Sequence, residues 1–382
     1  MKETTLSVAL IARDEEHVIG RVLGDVANFA DEIVVLDTGS SDRTAAIAQE
    51  YGARVYDYEW ADDFAAARNA AFDKCRSDWI MWIDADDRVP REAQLAFARA
   101  KERLSKEAVA MLVYVPYHLE YAAEDSASFV GAINRVRISR RDGAFRWLGR
   151  IHEALYAADA AAIWLDDAWV EHRPVQARAA AKYARDRHIL EAALREGDRA
   201  PMILLHYGLL LAALEEFSLA ARALEECLVV CDAPAPRYVA LLMAGVCAGG
   251  LGDLARRAEY LYEALDLDSH RAEAFVDLGI VHEIVGDHAG AIPFFRAAIG
   301  LTPPKLGNYA VPAYTWAPLA GMARCTWSLG RAAEARRWLA KATHAAPHRR
   351  DAFRRLADEF EASADAMRGA STKPTHVPVG SG

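Results

Sequence analysis

Cysteine is scarce and odd in number: Cys75, Cys227, Cys231, Cys247 and Cys325 are scattered over 382 residues. That excludes a disulfide-framed secreted scaffold and suits reduced thiols in a cytosol. Long apolar runs are also missing. PMILLHYGLLLAAL (201–214) is one of the longest, and it falls short of the ~20 residues a membrane-spanning helix needs. No apolar leader is expected, because Lys2 and Glu3 run through LSVALIA into the charged RDEEH. Basic charge does not dominate. Against 45 Lys and Arg stand 55 Asp and Glu, a net charge of −10 that offers nucleic acid and anionic membranes no steering field. Neither a Walker-type phosphate loop nor a G-x-G-x-x-G turn occurs, so ATPase and dinucleotide readings lack support.

What is present is a composition for a packed core, 53% hydrophobic and 26% charged. The length calls for two or more domains. The first third alternates short apolar runs with amphipathic segments. LSVALIA (6–12), EIVVLD (32–37), ARVYDYE (53–59) and WIMWID (79–84) read as strands buried on both faces. Between them lie a helix with a Val18, Val22, Val26 stripe flanked by Ile19 and Leu23, a helix capped by Ser40 or Ser41 and ending at Gly52, and the helix FAAARNAAFDKC. This order predicts a doubly wound, mainly parallel sheet. A helix over 91–104 and longer strands at 108–121 and 134–141 follow, whereas 143–172 has no readable period.

Beyond Pro174 the chain becomes almost wholly helical and repetitive. In a frame starting at Ala272, Phe275, Leu278, Gly279, Gly286, Ala291, Phe295, Ala298 and Pro303 occupy the small and bulky positions of a helix-turn-helix repeat. That pattern resembles the tetratricopeptide repeat. Less complete frames start at Pro201, Tyr238 and Trp316, so about four helix pairs are expected. The expected division is an α/β domain over 1–176, a helical linker 177–199, repeats 200–350, a terminal helix 351–366 and a disordered tail 367–382.

Candidate chemistry lies in the first half. Asp84 and Asp86, with Asp87 beside them, follow the strand WIMWID; residues i and i+2 project together, at the strand edge where open α/β sheets bind ligands. A hard divalent cation, Mg²⁺ or Mn²⁺, shared with substrate phosphates would relieve their mutual repulsion. Asp37 ends another strand, and TGSSDRT opens the next helix. Such a carboxylate can accept hydrogen bonds from a pyrimidine or a ribose. Cys227 and Cys231 share a helix face but have no second pair, so they are expected to be packing residues.

Together SVALIARDEEHVIGRVL, EIVVLDTGSSDRT, FAAARNAAF and DWIMWIDADD resemble the family 2 glycosyltransferases of the GT-A fold. RVRISRRDGAFRWLGRIHEAL and the repeats behind it are similar to the subgroup with C-terminal tetratricopeptide repeats, which includes the sublancin-type peptide S-glycosyltransferases. The resemblance implies a mixed, mainly parallel Rossmann-like sheet followed by an all-α solenoid. It implies an inverting, metal-dependent transfer of sugar from a nucleotide sugar, a UDP-sugar, to a peptide Cys or Ser/Thr or to a glycan. Glu15 and Asp37 would hold the ribose and base; Arg68, Asn69 and Lys182, with Arg185, would face the nucleotide or diphosphate. Asp84, Asp86 and His172 would surround the metal, and His152-Glu153 would supply the base, Glu153 taking the proton. Asp14 departs from the family, which has asparagine there. A cytoplasmic enzyme is expected, with a possible homodimer through the repeats. The alternative is a repeat scaffold that carries a degenerate enzyme domain.

Overall fold

The computed structural model describes residues 4–104, 111–119, 131–143, 145–156, 161–172, 179–305 and 309–371. The chain forms two compact units. The first comprises Met1–Tyr260 with Pro304–Tyr309, the second Leu261–Pro303 with Ala310–Gly382. The first unit therefore reaches past the expected domain end at 176 and takes in the segment expected to be a linker.

The first unit opens with β1 (Leu6–Ala12), α1 (Ile19–Val26), β2 (Glu32–Asp37), α2 (Thr44–Glu50), β3 (Arg54–Asp57), α3 (Phe64–Asp73) and β4 (Trp79–Trp82). β5 (Asp87–Arg88), α4 (Arg91–Leu104), β6 (Met111–Leu119) and β7 (Gly131–Arg140) follow, then β8 (Arg146–Leu148), β9 (Ala154–Tyr156), β10 (Ala161–Trp164) and β11 (Val170–His172). Nine strands make one mixed sheet in the order β3-β2-β1-β4-β7-β6-β11-β5, with β10 also paired to β6. β1 runs parallel to both neighbours, Val8 lying between Ile33 and Met81. β7 runs antiparallel to β4 and β6. β8 and β9 form a separate hairpin.

Strand alternation divides the core into two layers. Leu6, Val8, Leu10, Val35 and Met81 pack with α1 and α4 through Ile19, Val22, Leu23, Val26, Ala93 and Phe97. Ala9, Val34, Leu36, Ile80 and Trp82 face the other way, onto Ala67, Ala71 and Phe72 of α3. Both faces are covered, which is why these strands read as unbroken apolar runs. Two local expectations need correction. Val18 lies one residue before α1, at its N-cap, and is only half-buried. α2 starts at Thr44, so neither Ser40 nor Ser41 caps it; Asp42 Oδ1 accepts from the Thr44 N–H instead.

The helices α5 (Ala179–Arg195), α6 (Pro201–Ala213), α7 (Phe217–Val230), α8 (Pro234–Gly250) and α9 (Leu254–Leu267) continue the chain. The second unit holds α10 (Ala272–Ile284), α11 (His288–Ala298), α12 (Val311–Tyr314), α13 (Ala317–Ser328), α14 (Ala332–Ala345) and α15 (Arg350–Ser371). The pairs α6–α7, α8–α9, α10–α11 and α13–α14 match the four frames read from the sequence. Each pair is joined by three residues, one of which is left-handed: Glu215, Gly252, Gly286 or Gly330. Small residues let the paired helices close: a Cβ on Gly279 would lie 2.7 Å from the Phe295 ring. Cys227 and Cys231 are buried and lie against backbone carbonyls of Pro201 and Ala233, as packing residues do. α15 runs to Ser371, five residues into the expected tail, and the remainder, 372–382, lies outside the described residues. Among the described residues no helix is long and apolar enough to cross a membrane.

Candidate active site

The first two βα loops meet at the carboxyl edge of the sheet. Asp37, the last residue of β2, is buried, and its Oδ1 accepts from the N–H groups of Gly39 (3.2 Å) and Ser40 (2.8 Å). Asp14, with φ of +53°, occupies the left-handed region that Asp and Asn tolerate. Its Oδ1 accepts from the Ser41 N–H at 2.7 Å, and its own N–H donates to Ser40 Oγ at 3.0 Å. The Ser41 N–H, assisted by its hydroxyl and opposed by burial, holds the Asp14 carboxyl below the usual range. Glu15 donates its N–H to Thr44 Oγ1 at 2.7 Å, and Glu16 donates to Asp42 Oδ2 at 3.1 Å. The acid at position 14 thus joins two loops, a task that an asparagine oxygen would also perform.

The Asp84-Ala-Asp86-Asp87 segment follows β4 and turns into β5, which pairs antiparallel with β11 and sets Asp87 opposite His172. Asp87 is fully buried. It accepts from Arg137 (2.9 Å) and the Asp84 N–H (3.1 Å), and lies 3.0 Å from His172 Nδ1. Asp86 Oδ1 is 3.6 Å from the same nitrogen. Asp86, Asp87 and His172 can bring one ligand atom each within 4.8 Å of one another. Burial, reinforced by Asp84 and Asp87 and opposed by His172, pushes the Asp86 carboxyl up to about 6. Burial works against the His172 imidazolium, but the Asp87 hydrogen bond and the neighbouring carboxylates hold its pKa above the ordinary value.

Asp84 turns to a different partner. Arg68 Nη2 donates to its Oδ1 at 2.7 Å, while Arg68 Nε donates to Glu153 Oε1 at 2.5 Å. The guanidinium is buried with the Trp82 and Trp147 rings, their centroids 4.6 and 5.0 Å away. Burial disfavours its charge, yet Asp84 and Glu153 more than offset this and hold its pKa above the usual arginine range. Burial works against the Asp84 carboxylate too, but Arg68 and then Arg137 bring it down to about 2.

Asn69 is engaged within the fold. Its Oδ1 accepts from the Trp147 N–H (2.9 Å) and its Nδ2 donates to the Trp147 carbonyl (3.0 Å), so both amide groups are spent on clamping β8 to α3. His152 carries a left-handed φ of +53°, and its ring stacks on His206 of α6, centroids 3.9 Å apart and 21° off parallel. Burial lowers the His152 pKa, with Asp186 and Glu153 opposing and Lys182 adding to the effect. Burial also brings His206 down to about 3, helped by His152. Lys182 is exposed on α5, and Arg185 pairs with Asp186 at 2.8 Å and covers the Phe64 ring.

Two carboxylates and an imidazole suit Mg²⁺ or Mn²⁺. Asp86 and His172, with side chains 28% and 18% exposed, are accessible members of that set, whereas Asp87 is enclosed by Arg137. The residues therefore fit a divalent cation. Sequence reasoning missed the depth of Asp87, and missed Arg137, the Trp82–Trp147 enclosure and His206. Arg137 gave a weak signal, as one of the alternating arginines of NRVRISRR.

Residues 7–124 match the family described as glycosyl transferase family 2. A TPR repeat-containing protein of Synechococcus elongatus is 49% identical over 88 residues, 23% of this chain and 22% of that protein. An uncharacterized glycosyltransferase of Rickettsia bellii is 36% identical over 89 residues, 23% of this chain and 30% of its own. The SPbeta prophage-derived glycosyltransferase SunS of Bacillus subtilis is 29% identical over 151 residues, 39% of this chain and 34% of that one. The chain spans between a fifth and about a third of the curated relatives it matches. It carries a family 2 glycosyltransferase domain ahead of helical repeats of the tetratricopeptide kind.

Proposed function

We propose that the N-terminal domain is an inverting, divalent-cation-dependent hexosyltransferase that moves a sugar from a UDP-sugar to a nucleophilic acceptor. The acceptor class this reading favours is a peptide Cys or Ser/Thr side chain, with a glycan hydroxyl second. The observation that carries the reading is the buried guanidinium of Arg68, which binds Glu153 on one side and Asp84 on the other.

Inverting transfer needs a base on the face of the sugar opposite the leaving diphosphate. Glu153 takes that role, and the bond from Arg68 orients its Oε1. Asp37 and Glu15, in the clasped pair of loops, are assigned to the base and ribose of the donor. Asp86 and His172 would hold the cation, with Asp84 and Asp87 beside them. A bound Mg²⁺ or Mn²⁺ supplies Lewis-acid neutralisation of charge on the departing diphosphate. Arg137 fixes Asp87, which in turn fixes the His172 ring, so one of the two ligand side chains is oriented by the fold itself. Lys182 and Arg185 remain assigned to the phosphate side. The repeats are read as the surface for the acceptor or for a second copy of the chain, and the setting as cytoplasmic. The scaffold alternative gains nothing, since Asp37, Asp84, Asp86 and Glu153 are all retained.

The test is a panel of sugar nucleotides with Mg²⁺, Mn²⁺ or chelator, read as UDP release and as product stereochemistry. Metal-dependent release with inverted configuration is expected. If no sugar nucleotide binds or reacts in a metal-dependent way, the reading fails.

A further inference from the structure

The loop that carries Glu153 is built on the helices that follow the enzyme domain. Its path is tight: Gly149 has a φ of +97° and His152 one of +53°. A non-glycine residue in that region costs free energy and persists only where its surroundings hold it. Those surroundings come mostly from α5 and α6. Arg150 pairs with Glu196, just after α5, and its carbonyl accepts from the Phe64 N–H at 2.8 Å. Ile151 is buried among Ile189, Leu190 and Ala193 of α5 and Ile203 and Leu210 of α6. His152 stacks on His206 of α6. The next residue is Glu153.

α5 and α6 are themselves firmly joined. Tyr207 Oη lies 3.3 Å from Glu191, and Arg187 reaches both Glu191 (2.8 Å) and Glu216 beyond α6 (2.6 Å). Three consecutive loop residues are therefore gripped by one cross-linked helix pair. Of the three grips, only the imidazole stack acts on the residue adjacent to the candidate base. It also acts on the residue with the unfavourable backbone conformation.

We infer that His206, on the first repeat helix, is a positioning residue for Glu153: its ring holds His152 in the left-handed conformation from which Glu153 meets Arg68. This inference rests on the reading of Glu153 as the base. It gives the first repeat helix a task in the reaction itself, apart from any acceptor or dimer surface on the later repeats. The requirement is for a flat ring, so phenylalanine should serve where alanine cannot.

The experiment uses the full chain and two variants, His206→Ala and His206→Phe. The first readout is Mn²⁺-dependent hydrolysis of the UDP-sugar that the panel identifies as donor. The second is amide hydrogen exchange of the segment spanning 149–156. His206→Ala is expected to lower kcat at least tenfold with KM for the donor within twofold, and to speed exchange at 150–153. His206→Phe is expected to restore kcat to within threefold and to restore protection. Unchanged exchange at 150–153 in His206→Ala, or a His206→Phe variant as impaired as His206→Ala, overturns the inference. Absence of hydrolysis by the unaltered chain defeats only the enzyme reading, because the exchange measurement still decides whether His206 holds the loop.

Discussion

Arg68 Nε lies 2.5 Å from Glu153 Oε1, although 85 residues separate the two in sequence. The same guanidinium reaches Asp84 at 2.7 Å and is packed with two tryptophan rings. One α3 side chain thus couples the candidate base to the acidic segment that follows β4.

Replacing Glu153 by glutamine keeps an oxygen for Arg68 but removes the proton acceptor. Sugar transfer should fall by ~10²–10⁴, the usual worth of general base catalysis. Donor affinity, measured by calorimetry, should stay within about twofold. If transfer survives, the base lies elsewhere.

Arg68→Ala leaves two carboxylates facing each other with their shared cation gone. Removing one partner of a buried pair costs about 3–5 kcal/mol, and urea unfolding should report a loss of that order. Arg68→Lys should recover only part of it, since an ammonium lacks the planar fork that serves Glu153 and Asp84 at once. A fully stable Arg68→Ala variant would contradict the hub role.

Asp86 is an accessible carboxylate of the candidate metal-ligating set, and its side chain forms no part of the Arg137–Asp87 support. Asp86→Ala should weaken Mn²⁺ binding by more than the ~10–100-fold typical of losing an outer partner. Thermal unfolding of the metal-free protein should hardly change. Wild-type metal affinity in this variant would move the ligand set away from Asp86.

Burial against His152 brings the His206 pKa down to about 3, far below the ordinary histidine value. The groups bearing on that pair include Asp186, Glu153 and Lys182. Below the unfolded pKa, ~6.5, the unfolded chain binds the extra proton, so stability rises with pH between the two values. The contribution is complete above the unfolded value and is lost on acidification, with a limiting slope of ~1.4 kcal/mol per pH unit. His206→Phe should flatten the stability profile between about pH 4 and 6.5. Equal slopes for both proteins would contradict the burial argument.

At the α6–α7 turn Glu215 adopts a φ of +60°, where the corresponding turns use Gly252, Gly286 and Gly330. A left-handed L-residue costs ~1–2 kcal/mol, so Glu215→Gly should raise stability by about 1 kcal/mol despite the added freedom of the unfolded chain. For a cooperative unit of this size that corresponds to a rise of roughly 2–4 °C. A lower melting temperature would show that the side chain contributes more than its backbone costs.

Much of the fold was legible because its elements are long enough to carry a period. The helix read over 91–104 coincides with α4, and the Ala272 frame with α10–α11. The stretch 143–172 was not legible, because β8 to β11 are only three or four residues each, too short for alternation to show. That stretch also decides the site. Pairing of β5 with β11 sets Asp87 opposite His172, and β5 has only two residues. Nothing in the strand-like NRVRISRR singles out Arg137, yet it is fully buried under Asp87. The resemblance implies that Asn69 faces the nucleotide, whereas its amide matches the Trp147 peptide group as a strand partner would.

The crossed bonds between the first two βα loops have a thermodynamic consequence. Asp14, Glu15 and Glu16 are each tied to a residue between Ser40 and Thr44. Immobilising a free backbone costs ~1–2 kcal/mol per residue, and here that loss is taken when the chain folds rather than when a ligand arrives. A donor nucleotide entering beside Asp37 would find its contacts already in place. Its association should carry little of the entropy deficit and heat-capacity change that accompany loop closure. Discrimination among nucleotides would then come from the fit to a fixed shape and not from the capacity to fold one.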